Sequence, residues 1–105
     1  MATFYNVPIK GLSDVAATFV TSTSDSTIVL SILCANTTAS NTDVTVDILS
    51  AADASEAKIA NTITVPFDSN VDLLANKLIL PSGKKLNFVT STSGSLDIAV
   101  SYVEV

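Results

Sequence analysis

Asp43 and Asp47 are the first residues to test for chemistry. On the alternating segment Asp43-Val44-Thr45-Val46-Asp47 they set two carboxylates on one strand face, half of a calcium site. Four residues of strand hold them about 13 Å apart, too far to share one ion. They read as solvated charge that discourages stray edge pairing. Cys34 is the one thiol, and a thiol nucleophile needs a base; the chain has no His, and Cys34 sits in an apolar run. It is expected to be buried and inert. The serines form no Gly-x-Ser-x-Gly, and Ser91-Thr92-Ser93-Gly94-Ser95 reads as a turn. Ser82-Gly83-Lys84-Lys85 lacks the upstream Gly and following helix of a phosphate loop. It reads as a hairpin tip whose lysines are solvated or meet an acidic neighbour across a subunit contact.

Composition narrows the field further. The chain has 105 residues, one domain's worth, with 5 Lys plus Arg against 10 Asp plus Glu and a net charge of -5. All five cations are Lys, which makes phosphate or nucleic-acid binding a poor fit. A single Cys excludes an intrachain disulfide framework and a Cys-rich zinc site. No catalytic residue, cofactor or metal is expected, and the chain does not read as an enzyme. Charged residues make up 14%, where a globular chain carries about 25%, and Ser and Thr fill the gap at about a quarter of the chain. Low charge with many β-branched residues suits pleated, half-buried surfaces and favours association.

The elements follow from alternation and turn chemistry. Strands are expected over Phe4–Val7, ended by Pro8, then Val15–Thr21, Thr27–Ala35, Asp43–Leu49 and Ile59–Val65. Further strands are expected over Lys77–Leu80, Leu86–Thr90 and Leu96–Val105. Ser50–Lys58 is compatible with a helix, but at that length a single turn or a loop is expected. Pro81-Ser82-Gly83-Lys84 is expected to close a hairpin between its flanking strands. Asn36-Thr37-Thr38 matches a glycosylation sequon and is read as a turn. The sum is an all-β chain: one compact antiparallel β-sandwich over residues 1–105, Ig-like or jelly-roll, with seven to eight strands. Residues 1–10 are expected as an extended N-terminal arm. They carry neither the basic start nor the long apolar stretch of a signal peptide, so synthesis in the cytoplasm is expected. No run is long enough to span a bilayer as a helix, and no membrane partner is expected.

Two strands, Thr27–Ala35 and Leu96–Val105, carry apolar residues on both faces. A sandwich this small covers one face of each sheet, so Val29, Leu33, Ala99 and Val103 need further cover. Phe4, Tyr5 and Val7 of the arm are expected to lie on a neighbour, with Lys84 and Lys85 as further intersubunit contacts. The alternative is that Ser50–Lys58 or the N-terminal segment covers those residues within one chain.

Three segments carry a resemblance. Ser26–Asn36, Lys77–Leu86 and the ending Gly94–Val105, with its Ser101-Tyr102-Val103-Glu104, resemble small structural proteins encoded by tailed bacteriophages, over about 80 residues. The resemblance implies a β-sandwich used many times in a virion and assembled in the host cytoplasm. It implies partners among the major capsid protein, copies of itself, and neck or tail proteins. A capsid decoration role leads, a neck, connector or tail role follows, and a host-surface or glycan-binding module is the rival from another class. The resemblance brings no catalytic residues.

Overall fold

A computed structural model describes residues 2–105; Met1, the first residue of the expected arm, lies outside the described residues. Nine strands follow in order: β1 (Thr3–Ile9), β2 (Ala17–Thr21), β3 (Ser26–Asn36), β4 (Thr42–Leu49), β5 (Ser55–Val65), β6 (Asn70–Asp72), β7 (Leu78–Pro81), β8 (Lys85–Thr90) and β9 (Leu96–Glu104). They build two antiparallel sheets. One has the order β1-β9-β3-β6, with β7 also on β3; the other has the order β2-β8-β4-β5. β6 pairs with Leu33–Ala35 and β7 with Ser26–Val29, so the two form one interrupted edge strand. With that edge taken as one, eight strand positions remain. The first strand lies beside the last, and the chain crosses between sheets at every link except the β4–β5 hairpin and the β6–β7 break. Of the two sandwich types expected, this is the jelly roll.

The inner faces meet in one core. Val29, Ile32, Val44, Val46, Val65, Leu86, Phe88 and Val100 are fully buried in it. β4 and β8 alternate as their sequences require, with Val44, Val46, Leu86 and Phe88 inward. Hydroxyls close one end: Thr42 meets Thr90 at 3.1 Å, and the Ser95 hydroxyl donates to Thr42 at 3.2 Å. Asn36 is buried where β3 leaves the sheet, 4% exposed. Its amide donates to the carbonyls of Ser40 (2.8 Å) and Val65 (3.0 Å), and its Oδ1 accepts from the Thr38 N–H (2.9 Å). The sequon asparagine is thus a structural tie, consistent with its reading as a turn.

Several expectations change. Pro8 does not end β1; the strand runs on to Ile9, because β1 is an edge strand and has no outer partner for the missing N–H. The segment expected as an arm is, over Thr3–Ile9, paired along its whole length with β9 of its own chain. Pro81–Lys84 is a turn, with the Lys84 N–H donating to the Pro81 carbonyl at 3.1 Å and Gly83 at φ 87°. It is not a hairpin: β7 pairs with β3 and β8 with β2 and β4, so it turns the corner between sheets. The helix-compatible segment is a turn over 50–54, with Asp53 at φ 66°, followed by strand β5.

Candidate functional site

The two outer faces are chemically unlike. On the β2-β8-β4-β5 sheet, the outward register holds Thr18, Asn87, Asp47 and Lys58 in one row and Val89 beside Thr45 in the next. Asp47 pairs with Lys58 at 3.0 Å, and Asp43 accepts from the Thr64 hydroxyl at 3.2 Å. The two carboxylates suspected of metal chemistry are each engaged by a β5 neighbour. This face is built for water.

The β1-β9-β3-β7 sheet presents the opposite. Cross-strand partners point to the same side, so its outer rows can be read from the register. One row is Phe4, Val103, Ile28 and Ile79; another is Pro8, Ala99, Leu33 and Asp72. Phe4 is 72% exposed, Ile79 64% and Leu33 45%. Between these rows lies a polar one, Asn6, Ser101 and Ser31, in which the Asn6 amide donates to the Ser101 hydroxyl at 3.2 Å. Beside Leu33 and Ala99 is an open hollow of about 270 Å³, completed by Pro8, Ile9, Lys10, Ala35, Asp97 and Ile98. Among the described residues that line the hollow, the charged ones are Lys10 and Asp97, 3.5 Å apart. The Asp97 carboxylate also accepts from the Gly11 N–H at 2.8 Å, where Gly11 takes φ 65°. Two apolar rows on either side of a polar one, with Lys10 paired to Asp97 and Asp72 at the margin, are surface that a further contact can cover.

Four of the expected contact residues, Phe4, Leu33, Ala99 and Val103, come together on this face. Val103, 6% exposed, is covered there by its flanking strands. The others are elsewhere. Val29 is fully buried in the core, not outward. The reason is a β-bulge between Val29 and Ser31: Leu30 is the extra residue, and it reverses which side the first half of β3 presents. The same bulge puts Ile28 outward, where plain alternation had grouped it with the inward residues. Tyr5 and Val7 point to the inter-sheet side; Val7 packs on the core, and Tyr5 stacks on Tyr102 with ring centroids 5.1 Å apart. Lys84 pairs with Glu56, and Lys85 with Asp53 at 2.6 Å, all within one chain. These ion pairs hold the 50–58 segment against the Gly83 turn, so the two lysines are engaged without a neighbour. Ile28, Ile79 and Pro8 are face residues that sequence reading missed; Ala35 lies on the same side as Leu33, as alternation along the strand groups them. The triplet Leu78-Ile79-Leu80 carried the signal for Ile79: with Leu80 inward, Ile79 must face out.

Cys34 is fully buried, and burial pushes its thiol from the ordinary 9.0 up to about 11. It fills space between Ile98 and Val71 in the register and has no access to a substrate. At the other end of the sheet the Thr23 hydroxyl donates to Glu104 at 2.9 Å and holds its carboxyl below the ordinary value.

No protein-family model matches the chain, and no curated protein matches it in sequence. Solved structures do match. A protein of Bacillus endospore appendages, described as a family of disulfide-linked pili, aligns with a TM-score of 0.62 at 14% identity over 99% of this chain and 88% of that one. VP2 of infectious bursal disease virus, in a subviral particle, aligns at 0.53 and 13% identity over 98% of this chain and 33% of that one. The Gx strain of the same virus aligns at 0.55 and 12% identity over 99% and 33%. The chain spans about a third of the viral chains it matches. At these identities the likeness is one of fold.

Proposed function

We propose that the chain is a non-enzymatic structural subunit of a many-copy particle, and that its particular role is a decoration protein on the shell of a phage virion. The observation that carries this reading is the inequality of the two outer faces. An apolar sheet face on a chain of low charge is a surface to be covered, and the charged face opposite is one to be left in water. Repetition over a shell turns a modest contact into a strong hold. The resemblance of the three segments to small phage virion proteins supplies the finer placement. The fold-level likeness to pilus and virus-particle proteins supports the coarser one. A neck, connector or tail subunit is the second reading; the end-to-end match to an appendage protein favours a subunit repeated along a fibre.

Antibody to the chain, bound to intact particles and viewed with gold, tests the placement. Gold scattered over the shell is the expected result. A single cluster at the head–tail junction or label along the tail would give the second reading. Particles with no label would overturn the virion assignment.

A further inference from the structure

We propose that the outer face of the β1-β9-β3-β7 sheet receives a second copy of this chain, back to back, about a two-fold axis running along the strands between β9 and β3. The inference rests on the docking role of that face argued above and names its partner.

About that axis the apolar rows of the face are self-complementary. A two-fold along the strands exchanges the β1 edge with the β6/β7 edge and β9 with β3, and lays each row on itself. Phe4 then meets the second copy's Ile79, and Val103 meets its Ile28. Leu33 comes over the second copy's Ala99, so that a projecting side chain enters the hollow beside a small one. The polar row of Asn6, Ser101 and Ser31 meets its own image and can hydrogen-bond across. Lys10, whose side chain is 93% exposed, is brought towards Asp72 on the opposite edge. The same operation seats Asp72 over the second copy's Pro8, two residues along the strand from that copy's Lys10. Pairs formed twice by one symmetric patch are what a two-fold interface requires.

Two measurements on the purified full-length chain decide it. Sedimentation velocity is expected to show a dimer. Carbodiimide, which joins an amine to a carboxylate only when they touch, is expected to give a dimer band containing a Lys10–Asp72 linked peptide. Within one chain these residues stand three strand spacings apart, about 14 Å, so the linked peptide reports contact between copies. Leu33→Asp is expected to weaken the dimer at least tenfold and remove the linked peptide with the circular dichroism unchanged; Thr18→Asp on the polar face leaves both. A chain that stays monomeric to about 1 mM overturns the proposal. So does a dimer that yields no Lys10–Asp72 peptide or survives Leu33→Asp. A monomeric chain that still labels particles overturns the dimer and leaves the docking role standing; a dimer absent from every particle does the reverse.

Discussion

Phe88→Ala is expected to remove about 3–5 kcal/mol of folding stability, the range for deleting a buried aromatic ring. Phe88 is fully buried at the middle of β8, the strand between β2 and β4, and Phe19 meets its ring edge-on at 5.9 Å and 65°. The ring fills the centre of the space between the sheets. β2 and β4 are held to β8 by their backbones, so the space left by an alanine cannot collapse freely. A domain of this size has about 5–15 kcal/mol in all, so the variant sits near the edge of folding. Urea unfolding of the purified chain measures the loss. Phe88→Leu, which keeps most of the volume, is expected to cost less than half as much, and Phe67→Ala, at a half-exposed ring, about 0.5 kcal/mol or less. A loss below about 1 kcal/mol for Phe88→Ala would mean that the core is not centred on this ring.

Asn36→Ala is expected to cost about 2–3 kcal/mol although it removes almost no apolar contact. One side chain donates to the Ser40 and Val65 carbonyls and accepts from Thr38, joining the end of β3 to the end of β5 and to the loop between β3 and β4. Alanine leaves these groups without their partner in a place where water enters poorly. Asn36→Asp separates donors from acceptors. A carboxylate keeps the bond from Thr38 but faces two carbonyl oxygens, so the loss at pH 7 is expected to exceed that of alanine. The interior favours the neutral form of this carboxyl, so the folded state raises its pKa above the unfolded value. Stability is therefore regained as pH falls and lost as pH rises through the raised value. Unfolding midpoints for the two variants at pH 4 and pH 7 check the sign; an Asn36→Asp protein equally stable at both would contradict it.

How far the sequence led is clearest from single strands. β4, β8 and β9 were legible because their alternation is local: Val44 and Val46, or Leu96, Ile98 and Val100, announce their face without reference to any other strand. β3 was legible as a strand but not in its facing. Its sequence is apolar on both sides, so nothing in it marks Leu30 as the bulge that turns Val29 into the core. The turn at Pro81–Lys84 was legible from its residues, yet turn chemistry does not say which sheet the next strand joins. That depends on pairing with β2 and β4, far along the chain. Lys84 and Lys85 looked free for the same reason: Glu56 and Asp53 lie some thirty residues away. The short polar segment at 50–58 looked helix-compatible by composition, and the pairing of β5 with β4 overrode that weak preference. The docking face was half legible. Leu33, Ala99 and Val103 were named because a two-layer fold cannot cover both sides of a strand; Ile79 was marked by its Leu78-Ile79-Leu80 triplet, and Ile28 required the register.

The number of copies of the chain per particle, measured by mass spectrometry for matched surface substitutions, tests most directly that one sheet face docks and the other faces water. Leu33→Asp and Thr18→Asp each place one carboxylate on an exposed strand position, on opposite outer faces. Leu33→Asp is predicted to lower the copy number at least tenfold, and Thr18→Asp to leave it at the unsubstituted value. Equal incorporation of the two variants, or loss with Thr18→Asp alone, would contradict the account.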